Sequence, residues 1–399
     1  MTKPIGKNQT DARIHNNKAI LNLLRKEDMT QGKLAEKMGL SIAAVSMISA
    51  DLIKYGLIKM SDLHLDTRKG RRPQMLSING AYGCVAVVSL TDENIGYVIA
   101  NMKEEIVYSS TVNNPDTIEL KALYEVILDI KRVIDNIVKL PLLGIDISTP
   151  GKINNITGEI AQSPHFSKEI TAQPNFLPNL FHRHFNVPVK ITNDINLAAM
   201  GEMNAGWLGD NKNANAMYVY VGRGIGSALI LNGKPYVGTR GYAGEIGLIK
   251  RQFGGETHYL DDIASLNGIV LELEKRGCTV TAETLAERYL SGDRQIVEYV
   301  DGTAEELGNA LKDLVEVLDL SDIRLAGAAG SFGERYLNIV RASIARSANA
   351  VTVDCSTLSR DAGIYGAVSK AIANITAHII EENEFGSETK AAVSGGTRY

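Results

Sequence analysis

Two segments constrain the fold more than any others, because each is an apolar run that stops at a short polar turn. Leu142-Leu-Gly-Ile-Asp-Ile147 ends in Ser148-Thr-Pro-Gly151, and Val187-Pro-Val-Lys-Ile-Thr192 ends in Asn193-Asp194 before a helical stretch over 195–203. Strand, turn and helix in immediate succession form the unit of an α/β fold, whose ligands sit beyond the C-terminal ends of the strands. Gly151 lets backbone approach whatever lies there, and Asn193 and Asp194 stand at a second such end. The neighbouring sequence follows the same grammar. Residues 84–88, 95–100 and 105–108 read as consecutive strands, followed by an amphipathic helix over 118–137. Met217-Tyr-Val-Tyr-Val221, Gly222-Arg-Gly-Ile-Gly226 and Ser227-Ala-Leu-Ile-Leu231 read as strand, turn and strand. That glycine-rich turn has two readings, amides presented to an anion or simply a tight hairpin. Leu325-Ala-Gly-Ala-Ala-Gly-Ser-Phe-Gly333 follows an apolar strand and opens a helix, a layout common at nucleotide sites.

A length of 399 residues calls for two or three domains. The expected division is 1–77 for an N-terminal head and linker, 78–190 for a first α/β lobe, and 191–384 for a second lobe. Its last helix returns to the first lobe, and residues 385–399 form a disordered tail. No run approaches ~20 uninterrupted apolar residues, so no membrane span is expected. Cys84, Cys278 and Cys355 are too scattered for a disulfide framework or a metal cluster, which points to the cytoplasm. Charge is unevenly spread. Residues 1–73 hold fourteen Lys/Arg against seven acids, a net of +7 in a chain whose total is −4. A basic head on an acidic body leaves the head alone to meet a polyanion.

Periodicity gives that head a shape. Apolar residues from Ile14 to Leu24 mark one helix; Thr30 caps a second containing Leu34, Ala35 and Met38; Gly39 permits the turn. Ser41 caps a third helix whose inner face reads Val45, Ile48 and Leu52. This is a helix-turn-helix layout, although three-helix domains also serve as dimerisation or docking modules. The basic stretch 61–73 has the length of a β-hairpin wing, followed by an extended linker held by Pro73, and it favours double-stranded DNA as partner. Ser41, Ala43, Ala44, Ser46 and Met47 remain for the groove, with no Arg, Asn or Gln for bidentate base contacts. Arg68, Lys69, Arg71 and Arg72 are suited to a narrow, electronegative minor groove, hence an operator with A·T-rich flanks.

These motifs together resemble the ROK family, specifically its sugar-responsive repressor branch. The likeness spans residue 16 to about 380. It rests on Ser41-x-x-x-Val-Ser46, Gly70-Arg-Arg-Pro73, Ser148-Thr-Pro-Gly151, Thr192-Asn-Asp194 through Gly201-Glu202, and Gly222-Arg-Gly-Ile-Gly226. Gly241-Tyr-Ala-Gly-Glu-Ile-Gly247 and Asp361-Ala-Gly-Ile-Tyr-Gly-Ala367 complete it. The resemblance implies a two-lobed actin/hexokinase-like body, assembled as a homodimer or homotetramer. It implies a sugar effector contacted by Gly151, His165, Asn193, Asp194, Glu245 and Asp261, with Asp194 at the position of the kinases' general base. Histidine is expected where Leu248 stands, and clustered zinc-binding cysteines where Arg251-Gln-Phe-Gly-Gly-Glu-Thr-His-Tyr259 has none. No metal or other cofactor is therefore expected.

The kinases' Asp-x-Gly-Gly-Thr phosphate clamp corresponds here to Ser89-Leu-Thr-Asp-Glu93, without the metal-orienting carboxylate or either glycine. Phosphoryl transfer depends on holding donor phosphate and Mg²⁺ in place. The expectation is a catalytically inactive sugar sensor. The rival is an active sugar kinase with a DNA-binding head, which ATP consumption across a sugar panel would reveal. A body that docks another protein is a second rival, favoured if no sugar shifts the melting temperature.

Overall fold

The computed structural model describes residues 9–61, 74–91, 94–113, 117–161, 166–209, 211, 213–347, 350–358 and 361–382. The head comprises α1 (Gln9–Lys26), β1 (Met29–Thr30), α2 (Gln31–Met38), α3 (Ile42–Lys54), β2 (Ile58–Ser61) and β3 (Met75–Ile78). Thr30 and Ser41 cap α2 and α3 by accepting from Lys33 N and Ala44 N at 3.2 and 3.1 Å. Each such cap is worth about 1 kcal/mol. Val45, Ile48 and Leu52 are buried, as the helical period requires.

One expectation is corrected here. β3 pairs antiparallel with both β1 and β2, Met60 opposite Leu76, so the strands of the wing flank the basic stretch. Residues following Pro73 are thus wing, not linker. Chain connection to the body is the short segment 79–83, where Asn79 binds the Gly56 carbonyl at 2.8 Å. Arg68, Lys69, Arg71 and Arg72 lie outside the described residues.

The body holds two five-stranded sheets. The first is built from β4 (Cys84–Leu90), β5 (Asn94–Asn101), β6 (Ile106–Asn113), β7 (Leu142–Thr149) and β10 (Val189–Asn193), in the order β10-β7-β4-β5-β6. Between its strands come α4 (Leu120–Val133), the small ribbon β8 (Lys152–Ile153) and β9 (Ile160–Ala161), α5 (Lys168–Thr171) and α6 (Phe176–Phe185). α4 and α6 cover one face, burying Leu123, Ile127, Leu177 and Phe181 with Ile145 and Ile147.

α7 (Asp194–Asn204) leads to the second sheet, ordered β13-β12-β11-β16-β17. Its strands are β11 (Ala216–Val221), β12 (Ile225–Leu231), β13 (Lys234–Tyr236), β16 (Asp322–Gly327) and β17 (Thr352–Cys355). A separate hairpin, β14 (Lys250–Phe253) and β15 (Glu256–Tyr259), precedes α8 (Leu260–Ala264), α9 (Leu266–Lys275), α10 (Ala282–Leu290) and α11 (Arg294–Leu318). α12 (Ala328–Ser331) and α13 (Gly333–Ile344) follow β16.

The last helix, α14 (Ala362–Glu382), crosses to the first sheet and shares one continuous core with it and the head: Leu21, Ile78, Val85, Ala100, Ala371 and Ile375. Where α14 meets α7, Gly366 and Gly201 allow backbone-to-backbone contact. A Cβ on Gly366 would strike the Leu197 carbonyl oxygen, and one on Gly201 that of Ala362. None of the described helices is long and apolar enough to cross a membrane.

Candidate functional site

Parallel pairing of β7 and β10 aligns their ends, Thr149 opposite Asn193. That register brings the two polar turns side by side. Asn193 donates through Nδ2 to the Gly151 carbonyl and to Asp194 Oδ1, each at 3.2 Å. Its Oδ1 caps α7 by accepting from Asn196 N at 3.0 Å. Asp194 Oδ1 also accepts from Ile195 N at 2.9 Å, so its carboxylate is aimed by the first turn of α7.

The opposite wall comes from the second lobe. Gly226, Ser227, Gly241, Ala243, Gly244 and Glu245 form a cleft against Gly151, Asn193, Ile195 and Asn196. Asn155 N donates to the Arg240 carbonyl at 3.0 Å and ties the two walls. Burial raises the Glu245 pKa, and Lys152 Nζ at 3.5 Å from Oε2 opposes that shift. Lys152 escaped the sequence reading; its only signal there was its place one residue beyond Gly151.

Among the expected ligand contacts, Gly151, Asn193 and Glu245 share this cleft, with Asp194 adjoining Asn193. Asp261 is placed differently. Its Oδ1 accepts from Ile225 N at 2.6 Å, and it lies beside Gly224 and Gly247, bracing the β11–β12 turn. Burial raises its pKa, while the Ile225 amide pulls it down. His165 lies outside the described residues. Glu202, from the quoted Gly-Glu pair, is fully buried and accepts from Ser356 Oγ, Thr357 Oγ and Leu358 N. It anchors the loop after β17 rather than facing the cleft.

A zinc ion does not fit the β14–β15 hairpin. Its imidazole, His258, lies 3.8 Å from the Glu256 carboxylate. Among the described residues no group of three His, Cys, Asp or Glu side chains could hold a metal; zinc requires four N, S or O donors.

On the head, Ser41, Ala43 and Met47 are exposed, whereas Ala44 and Ser46 are half-buried. Ser41 is engaged as the α3 cap. Ile42, 61% exposed beside the 72% exposed Met47, joins this face and was missed. An apolar side chain outside the buried set is its signature, and such groups suit thymine methyls.

Head and body are bolted together. Arg25 on α1 donates through Nε to Glu104 Oε1 at 2.7 Å. Through Nη2 it reaches the Ser369 carbonyl and hydroxyl on α14 at 2.8 and 2.7 Å. Lys18 pairs with Glu381 at 2.7 Å. α14 therefore touches α7 at one end and α1 at the other.

The sequence matches the ROK family over residues 87–373 and winged helix-turn-helix DNA-binding domains over residues 15–59. It is 24% identical over 383 residues to the xylose repressor of Caldicellulosiruptor bescii, covering 88% of this chain and 94% of that protein. In fold it is similar to a ROK family transcriptional regulator homologous to the E. coli MLC protein, with TM-score 0.77 and 17% identity over 94% of this chain and 99% of the other. The ROK hexokinase from Thermus thermophilus matches with TM-score 0.59 and 20% identity over 73% of this chain and 99% of its own.

Proposed function

The chain belongs to the ROK family, and on that premise we propose that it is a DNA-binding transcriptional repressor of carbohydrate uptake or catabolism genes, released by a sugar in the inter-lobe cleft. One observation carries this reading. α7 begins at the cleft, crosses α14 through paired glycines, and α14 holds the head through Arg25 and Lys18. Sugar hydroxyls donate to Asp194, Glu245 and Asp261, while Gly151 gives close backbone approach and His165 completes the set. Closure of the lobes then moves α7, α14 and α1 as packed bodies. A homodimer or homotetramer places two heads on two half-sites, and operator affinity falls because the sugar prefers one arrangement. The coupling runs through α14.

The body acts without catalysis in this reading. Thr91 closes the β4–β5 turn, its hydroxyl donating to the Asn94 carbonyl at 2.9 Å and accepting from Asn94 N at 3.0 Å. No glycine there gives phosphate access to backbone amides. A sugar kinase reading would require ATP consumption on some member of a sugar panel.

The test starts with DNA. Fragmented genomic DNA captured by the protein and sequenced yields the operator. D-xylose, D-glucose and N-acetyl-D-glucosamine are then titrated into the complex, xylose first because of the relative's name. Glu245→Ala is expected to bind operator as the parent does and to lose sugar release. Loss of both activities would contradict the division of labour.

A further inference from the structure

The β14–β15 hairpin joins the two second-lobe carboxylates directly. Glu245 precedes it through a short 3-10 turn, Asp261 follows on α8, and Leu260 N closes its base on the Ile249 carbonyl at 2.8 Å. Gly254 and Gly255 both have positive φ, 62° and 88°, as a two-residue hairpin loop requires. This is the position at which the family resemblance places a zinc-held loop, and the donor set here cannot hold zinc.

Something else must fix the hairpin, and one face of β14 supplies it. Arg251 and Phe253, two apart, point the same way, whereas Lys250 and Gln252 are exposed. Arg251 Nη1 lies 2.6 Å from Asp313 Oδ2, and its Nε lies 3.5 Å from Glu306 Oε2. Phe253 meets Tyr299 edge-on, with ring centroids 5.8 Å apart, over the bare backbone of Gly302. Tyr299, Gly302, Glu306 and Asp313 form one stripe of α11, at spacings of three, four and seven residues. A forked cation between two carboxylates fixes direction as well as distance.

We propose that Arg251 and Phe253 are positioning residues that clamp the hairpin to α11 and hold Glu245 and Asp261 in place, making the effector site independent of any metal. The functional half of this inference rests on the sugar-site reading above; the structural half does not.

The test uses the full-length protein, its captured operator and D-xylose, or whichever panel sugar releases the complex. Amide exchange over 249–262 reads the clamp; the sugar concentration for half-release reads positioning. EDTA is expected to change neither in the parent. Arg251→Ala, and Arg251→Ala with Phe253→Ala, should speed exchange in the hairpin and raise the half-release concentration at least tenfold. Operator affinity without sugar should stay within about twofold, and Arg251→Lys, which keeps the charge but loses the fork, should restore only part of the response. Unchanged hairpin exchange in the double variant, or a hairpin loosened in the parent by EDTA, overturns the clamp. Faster exchange with unchanged half-release overturns the positioning role. If no panel sugar releases the parent, the sugar-site reading fails while exchange still decides the clamp.

Discussion

Two contacts in the body are built on opposite plans. At the α7–α14 crossing, backbone lies on backbone at two points, because Gly201 and Gly366 carry no Cβ there. At the hairpin–α11 contact, long side chains do the joining: Arg251 to Glu306 and Asp313, Phe253 to Tyr299. A backbone contact has no soft atoms to absorb displacement, so motion of one helix is passed to the other. A side-chain contact fixes a loop yet tolerates adjustment. The first suits transmission from cleft to head, the second suits holding a ligand platform.

The same substitution can break this distinction. Gly366→Ala places a methyl group against the Leu197 carbonyl and should cost about 3 kcal/mol despite the better helix propensity of alanine. Urea unfolding checks it. A cost below about 1 kcal/mol would mean that the crossing is not the rigid joint described here.

A comparable effect is expected below α14. Asp146 is buried on β7, and burial pushes its pKa up to about 6 against the pull of Lys370, the Thr192 hydroxyl at 3.2 Å and Lys190. The folded protein therefore retains this proton to higher pH than the unfolded chain, whose aspartates titrate near ~4. Its contribution is fully present below about pH 4 and is lost as pH rises through 6, amounting to about 3 kcal/mol. Asp146→Asn should remove that slope. Urea midpoints between pH 4 and 7.5 decide it; parallel profiles for parent and variant would refute the burial argument.

Severing the conduit at its far end should leave the platform intact. Arg25→Ala removes charge-assisted bonds to Glu104 and Ser369. Sugar should still shift the melting temperature, yet its effect on operator affinity should shrink about tenfold, within the 1–3 kcal/mol typical of coupling between sites. A full sugar response in this variant would place the coupling elsewhere.

The sequence pattern and the structure agree where period alone decides burial. Val45, Ile48 and Leu52 face inward on α3, and β7 and β10 form as read, although they run one or two residues into the expected turns, to Thr149 and Asn193. Contacts between distant segments are another matter. Lys152 meets Glu245, Asp261 holds the Ile225 amide, and Arg25 reaches Ser369, each across dozens to hundreds of residues that carry no local trace of the pairing. Met75-Leu-Ser-Ile78 was too short to read as a strand until β1 and β2 flanked it. The α6 and α11 helices bury apolar faces against partners distant in the chain, and no motif in their own segments marks them.

The smallest expected effect sharpens the comparison most. Gly302 lies inside α11, as Gly366 lies inside α14, so both pay the same backbone-entropy penalty relative to alanine. A Cβ on Gly302, however, meets only the Phe253 ring, at the ordinary contact distance of 3.6 Å. Gly302→Ala should therefore stabilise the protein by about 0.5–1 kcal/mol, with sugar half-release unchanged. Matched against Gly366→Ala in the same urea titration, the pair should differ in sign. If both substitutions destabilise, the hairpin contact is as rigid as the helix crossing, and the division between a transmitting joint and an adjustable platform disappears.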